Sequence, residues 1–437
     1  MSCCMCEKYH WDPQEVVYEA PEDGKEYCLF HAPAEHKYAA PNSNKMSIDE
    51  FNAQVAERIQ EIVDLEDENA CCNLRGAVFP GELSFSARTV PRIIFDSACF
   101  KGKVSFHGVV FQGGMSFEES IFENVVEFRL CGVDGEASFE GSRFAKTTVF
   151  AGMTFEKRVS FDDSVFSGNV NFQDIKCTKF LTLVSTIFSG TTQFKDVGLD
   201  GGALCISTKF NGPAYFTTRE PPHHPIFFSD CVVSPSGVFF ENCNPKHYNF
   251  VDQLDLSNIH FRNSPWGKKG RIKVYTEDQH DLLQPTRDFY QRMKAKYKAE
   301  SNENEASKWH IAEKEAQLKL LSRPGESKFL RDTLRLYKWT SGFGENPRRA
   351  FWVLVGLLLF PLGLLIGAEL WSHFAWWDFD LVKINHMFKN WLKFIPLTQA
   401  IPKDEPGISH AFMIAWQLLI TLQAALFAFA LRNNFRR

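Results

Sequence analysis

Cys3, Cys6, Cys28 and His31 are the residues whose types and spacing promise chemistry. They stand as Cys-x2-Cys and Cys-x2-His, with 21 residues between the pairs. Each pair can present two ligands from one tight turn, and the intervening run can return the second pair to the first. Three sulfurs and one imidazole nitrogen complete the tetrahedron that zinc requires, and they leave no open position for a substrate. The expectation is therefore a structural zinc ion. Residues 1–40 are too few to hold a core alone, and a metal would staple them. Cys4 and His10 are alternative ligands. A set of unpaired thiols beside a surface histidine is the reading without metal.

What must carry this module is legible further on. From Phe100 to Phe122 phenylalanine recurs after six, five, six and five residues. On a helix, at about 100° per residue, that step scatters the rings over several faces. On a flat strand a step of five sends successive rings to opposite sides. Gly, Ser and Val fill the intervals, which is poor helix composition. Short extended pieces separated by corners bring every ring to one interior, and such a chain is a β-solenoid.

Of the 42 phenylalanines, 27 lie between Phe79 and Phe261. The anchors run Phe79, Phe85, Phe95, Phe100, Phe106, Phe111, Phe117, Phe122, Phe128, Phe139, Phe144, Phe150, Phe155, Phe161, Phe166 and Phe172. They resume at Phe188, Phe194, Phe210, Phe216, Phe240, Phe250 and Phe261. Two residues before many anchors stands a smaller side chain, such as Val104, Val109, Met115, Ser120, Val159, Ser164 or Val170. Positions two apart share a face, so these also point inward. The residues between, including Ser105, Ser116, Glu127, Ser160 and Asn171, are expected to face out.

"NLRGAVF" (Asn73 to Phe79) and "LDLSNIHF" (Leu254 to Phe261) resemble the pentapeptide-repeat consensus. The likeness covers about 190 residues. It implies a right-handed quadrilateral β-helix, mainly β, with the ladder as its core. The departure is the six-residue step, which lengthens the family's coil of about 20 residues to about 22. Eight or nine coils at about 4.8 Å give a rod of about 40 Å.

An open coil end exposes strand edges and needs a cap. Ser47 and Glu50 form a capping-box start. Ile48, Phe51, Val55, Ile59 and Ile62 follow as an apolar stripe at helical spacing. This helix is expected over the first coil, with packing elsewhere as the alternative. The divisions are a metal module at 1–40, a capping helix at 46–70, the β-helix at 71–262, a helical linker at 263–345 and a membrane region at 346–437.

Bulk charge narrows the functions. The chain carries a formal −5, and Leu74 to Phe261 holds 20 acids and 16 bases, a net of −4. That balance suits neither a nucleic-acid binder nor a polyanionic mimic. No nucleic-acid partner is expected, and the gyrase-inhibitor role of some pentapeptide-repeat proteins does not suit a near-neutral rod. The start "MSCCMCEKYHW" lacks an apolar run. Cys99, Cys131, Cys177 and Cys205 sit singly in the repeat, as reduced core residues of a cytosolic compartment would. No nucleophile elbow, phosphate loop or open metal triad is present. His223 and His224 adjoin Pro221 and Pro222 as a solvated loop. The expectation is a protein that is not an enzyme.

Two apolar runs, Ala350 to Ala368 and Ala411 to Leu431, are long enough to cross about 30 Å of hydrocarbon. A buried hairpin in a soluble body is the alternative. Arg348 and Arg349 precede the first run, and Arg432, Arg436 and Arg437 follow the second. Positive flanks stay in the cytosol, so both termini and the rod are expected there, on an inner (cytoplasmic) membrane. Trp371, Trp376 and Trp377 read as interfacial aromatics.

Between the spans, Phe379 to Pro402 is amphipathic. Leu381, Ile384, Met387, Phe388, Trp391, Leu392 and Ile395 fall near one helical face, away from Lys383, Lys389 and Lys393. This helix either lies in the interface or dips inward as a pore helix. Span, short helix, span resembles the layout of two-span cation channels, but no "TVGYG"-type filter is present. Gln417 and Gln423 could bond across helices of an oligomer or line a polar path. Ahead of the spans, Pro285 opens a first helix, Ser301–Asn304 breaks it, Pro324-Gly325 ends a second, and Gly342 and Gly344 form a hinge. The arrangement resembles bacterial membrane-anchored pentapeptide-repeat proteins. It implies lipid contact, a protein partner on the solenoid surface, and a homo-oligomer acting as a channel-like or membrane-perturbing effector. A passive membrane-tethered scaffold is the competing expectation.

Overall fold

The computed structural model of the protein describes residues 3–37, 47–65, 70–218, 223–266, 271–372, 381–396 and 408–436. They form two compact units, Met1–Gln279 and His280–Arg437.

The first unit is a four-sided β-solenoid of about nine coils. One face stacks nine strands, from Cys71–Asn73 to Tyr248–Asn249, and the next stacks eight, from Val78–Phe79 to Val232–Val233. A third runs from Leu83–Ser86 to Ile259–Arg262, and a fourth from Thr89–Val90 to Leu199. The long strand Thr192–Leu199 turns the corner between the last two. Every ladder of the coils is parallel.

Register confirms the lengthened coil. Phe100, Phe122, Phe144, Phe166, Phe188 and Phe210 pair in succession, each 22 positions after the last. The corners use the interval residues in two ways. Five-residue corners take a left-handed residue, as at Glu119 (φ 56°), Leu130 (φ 55°) and Asp163 (φ 56°). At a six-residue corner, Gly102 lies so close to the preceding coil that a Cβ there would come within 2.1 Å of the Gly81 carbonyl carbon.

The ladder is the core. Every anchor is buried except Phe261, which is half-buried at the last coil. Rings of adjacent coils lie nearly parallel, with centroids 4.5 Å apart for Phe144–Phe166 and 4.7 Å for Phe100–Phe122. Rung spacing of about 4.8 Å brings identical side chains into van der Waals contact. Each ring removed from water contributes about 1.5–3 kcal/mol.

The small inward positions are buried as expected, and one column is polar. Ser120, Ser142, Ser164, Thr186 and Thr208 recur every 22 residues with no exposed surface. Each hydroxyl donates to a backbone carbonyl 25 positions earlier, as Ser120 Oγ to Phe95 O at 2.7 Å and Thr186 Oγ1 to Phe161 O at 2.8 Å. A buried hydroxyl must find such a partner. Two outward expectations fail: Ser116 and Ser160 are buried. Their hydroxyls are engaged at that face, where Ser160 Oγ accepts from Asp162 N at 3.2 Å. Ser116 Oγ donates to Asp96 Oδ1, and Asp162 accepts from Thr182 Oγ1 at 3.1 Å and from Val184 N at 2.8 Å. Of the expected core cysteines, Cys131, Cys177 and Cys205 are buried and Cys99 is only half-buried.

Both ends of the stack are covered. Helix α1 (Cys4–Lys8) belongs to the metal module, and α2 (Ile48–Asp64) caps the first coil. The Ser47–Glu50 capping box forms. Phe51 packs edge-on against Phe79, with centroids 5.8 Å apart, and Asn52 Nδ2 donates to Glu82 O at 2.7 Å. Phe51, Val55 and Ile59 are buried, whereas Ile48 is exposed and Ile62 half-buried, so the stripe is narrower than its sequence suggests. At the far end Trp266 lies 4.7 Å from the ring of Phe261.

The second unit is helical: α3 (Leu283–Ala299), α4 (Glu303–Leu320), α5 (Lys328–Ser341), α6 (Pro347–Ser372), α7 (Leu381–Leu392) and α8 (Ile408–Phe435). Helices α3 and α4 pack as a hairpin around Phe289, Tyr290 and Trp309. The expected hinge is a run of three left-handed residues, Gly342, Phe343 and Gly344 (φ 59°, 62° and 76°). A Cβ on Gly344 would come within 2.6 Å of the Tyr337 hydroxyl, so only glycine fits there.

Candidate metal centre and membrane hairpin

Cys3 opens α1, and Cys6 follows one turn later. The hairpin of β1 (Val16–Glu19) and β2 (Glu26–Cys28) delivers Cys28. A turn with amide hydrogen bonds from His31 and Ala32 to Cys28 O aims the imidazole back. The four ligand atoms lie within 4.8 Å of one another, and all four residues are buried. Cys28 Sγ, Cys3 Sγ and Cys6 Sγ stand 3.2, 3.5 and 3.6 Å from His31 Nδ1, and Cys6 Sγ stands 3.6 Å from Cys28 Sγ. Metal–ligand bonds of about 2.3 Å to sulfur and about 2.0–2.1 Å to nitrogen require tetrahedral edges of about 3.6–3.8 Å. The cluster fits a metal ion.

Cys4 is half-buried and His10 is exposed, and neither joins the cluster. The alternative ligands are thereby set aside.

The surroundings favour ligation. His31 Nε2 lies 3.0 Å from the carbonyl of Arg75. That partner requires the proton on Nε2 and leaves the Nδ1 lone pair facing the sulfurs. Burial lowers the His31 pKa to about 4, so the ring is neutral at pH 7. Burial also raises the thiols of Cys6 and Cys28, and a cation that displaces their protons relieves that cost. Three thiolates around a divalent ion carry one negative charge. Buried Lys37 stands nearby, donating to Leu29 O and to Phe30 O at 2.9 Å. Burial lowers its pKa to about 7, while Cys28 and Cys3 pull the other way.

Sequence reasoning missed what the module touches. Val78 N, in the first coil, donates to Phe30 O at 2.8 Å, and Asn73 Nδ2 donates to Tyr9 O at 3.1 Å. The module thus supplies acceptors to the open end of the stack. Phe30 also packs on Phe51 of the capping helix at 5.9 Å. No spacing within residues 1–40 signals these contacts.

Two described helices are long and apolar enough to cross a membrane, over Pro347–Ala368 and Ala411–Phe435. They pack antiparallel: Trp416 bonds Leu357, and Phe427 lies 5.7 Å from Phe351. Gln417 Nε2 donates to Lys393 O at 2.7 Å, and Gln423 Nε2 donates to Ala350 O at 2.9 Å and Thr340 O at 3.4 Å. Asn433 Nδ2 donates to Gly344 O at 3.1 Å. Both glutamines are therefore engaged within the chain. Trp391 of α7 donates to Leu358 O at 2.7 Å, which ties that helix to α6. The side chains of Trp371, Trp376 and Trp377 and the segment 397–402 lie outside the described residues. Trp339 and Trp352, overlooked in the sequence, are 66% and 69% exposed beside the Arg348–Arg349 pair. Indoles so placed suit a lipid–water boundary.

Fold and site define a Phe-stacked β-solenoid with a Cys3His cluster and a helical region bearing two apolar helices, features that fit a membrane-anchored repeat protein. In comparison with known proteins, the chain matches no family model, no curated protein and no solved structure.

Proposed function

We propose that the chain is a pentapeptide-repeat-like solenoid, not an enzyme, that recognises a protein partner in the cytosol and couples that event to a two-span membrane domain. The membrane is the inner (cytoplasmic) one, with both termini on the cytosolic side. The spans assemble with those of other copies into an ion-channel-like or membrane-perturbing effector. The four-ligand cluster holds structural zinc, and no nucleic acid is bound.

The observation that carries this reading is the fastening of the hinge to the second span. Gln423 bonds Thr340 and Ala350, on either side of the hinge, and Asn433 bonds Gly344 within it. A displacement of α5 would therefore be felt in α8. Exposed apolar side chains such as Leu418, Leu422 and Leu364 leave surface for lipid or for another copy.

A passive tethered scaffold is favoured by a different observation. Gln417 and Gln423 are spent inside the chain, so neither is spare for a polar path. Conductance of the purified full chain in planar bilayers separates the two. Current that rises with protein density supports the effector. Silence under every ligand and density, with a strict monomer in detergent, supports the scaffold and removes the leading reading.

A further inference from the structure

A pocket of about 340 Å³ opens in the helical unit where α3, α4, α5 and the C-terminal end of α8 meet. Lys298, Lys314, Arg432 and Arg436 line it, against the two carboxylates Glu303 and Glu345. Glu345 is already engaged, accepting from Ser307 Oγ at 2.8 Å and Asn433 Nδ2 at 3.4 Å. Lys314 donates to Gln317 Oε1 at 3.0 Å and lies 3.7 Å from Glu313. Lys298, Arg432 and Arg436 form no ion pair among the described residues, and the Arg432 guanidinium rests 4.7 Å from the Phe429 ring. The concavity therefore carries surplus positive charge, with guanidinium forks beside an ammonium.

We propose that this pocket binds a phosphoryl anion, borne either by an anionic lipid headgroup or by a small soluble phosphate ester. Guanidinium and ammonium donors match the oxygens of a phosphoryl group with charge-assisted hydrogen bonds. The volume is at the small end of the range for ligand pockets, about 300–1,000 Å³. It suits one phosphoryl group with a short substituent. The lipid source rests on the membrane reading, because Arg432 and Arg436 lie where the second span ends; the soluble source does not.

The test uses the full chain in a neutral detergent, probed by native mass spectrometry. Phosphatidylglycerol is compared with phosphatidylcholine in one arm, and inorganic pyrophosphate is titrated in the other. The wild type is expected to retain phosphatidylglycerol, pyrophosphate or both. Lys298→Gln with Arg436→Gln weakens retention by at least about tenfold, the loss of two charge-assisted contacts. Lys298→Arg with Arg436→Lys restores it, and Lys308→Gln, outside the pocket, leaves it unchanged. Retention of phosphatidylglycerol alone assigns the site to lipid, and of pyrophosphate to a soluble ester. Should the double variant not fold, Lys298→Gln alone carries the comparison. Equal retention of both lipids without pyrophosphate binding overturns the proposal, as does binding unchanged by the glutamine substitutions. A chain that binds pyrophosphate yet is released from membranes by alkali would contradict the membrane reading and leave the pocket standing.

Discussion

The indole Nε1 of Trp416 donates to the carbonyl of Leu357 at 3.0 Å, four positions before Pro361. In a regular helix that carbonyl accepts from the amide of residue 361, which proline lacks. Helix α8 thus fills the gap that the proline of α6 leaves. In hydrocarbon an unfilled backbone acceptor is costly, and neighbouring helices are the usual remedy.

Replacing Trp416 with Phe should therefore weaken the hairpin by about 1–2 kcal/mol. Pro361→Ala restores the backbone donor, and in that background Trp416→Phe should cost less. Unfolding of the four combinations in mixed detergent measures the coupling. Purely additive effects would show that indole and proline are independent.

Zinc analysis of the purified chain should give about one ion per molecule, the capacity of a closed four-ligand site. Cys28→Ser should abolish binding, and Cys4→Ser should leave it intact. Acid should release the metal, because the thiolates must stay deprotonated. Loss of the ion should also speed hydrogen exchange at Val78, whose amide donates to Phe30 O. A metal-free chain with Val78 still protected would refute a structural role.

The ladder should dominate the stability of the solenoid. Phe139 is fully buried and stacks on Phe117 and Phe161 at 5.2 and 4.8 Å. Its replacement by Ala should cost about 3–5 kcal/mol. Ser142→Ala, which removes one hydroxyl bond to Phe117 O, should cost about 1 kcal/mol. Phe180 is 41% exposed, so Phe180→Ala serves as the control. Thermal unfolding that ranks Phe180 with Phe139 would count against the stacked core.

Acid should loosen the α3–α4 hairpin. Burial raises the Glu313 pKa, but hydrogen bonds from His310 and Lys294 outweigh it and hold the group at about 2, below its ordinary 4.5. A depressed carboxylate contributes stability above its unfolded value and loses it as pH falls toward the folded one. Up to about 3 kcal/mol should therefore disappear between about pH 4.5 and pH 2. Glu313→Gln should be weaker at pH 7 and flatter over that window, as read by circular dichroism at 222 nm. An unchanged acid limb would separate Glu313 from the transition.

Much of this was legible because it repeats. The phenylalanine beat signals both the coil and its 22-residue length, since each copy restates the geometry. The four ligands were legible from two short spacings, and the capping helix from Ser47 and Glu50. Contacts between distant, non-repeating segments were not. Nothing local marks Phe30 O as the acceptor for Val78 N, and nothing in "WQLLITLQ" says that Trp416 answers Pro361. Ser116 and Ser160 misled because alternation predicts direction and not burial: Ser116 bonds the Asp96 carboxylate, and Ser160 Oγ accepts from Asp162 N. Such pairings arise from tertiary placement, which periodicity does not encode.

The proposed function requires that α6 and α8, each long and apolar enough to cross a bilayer, hold the chain in lipid. Alkaline carbonate extraction of membranes from cells expressing the full-length protein tests that most directly. If α6 and α8 cross the bilayer, the chain stays in the membrane pellet and leaves it only when detergent dissolves the bilayer. Quantitative release into the alkaline supernatant would contradict it.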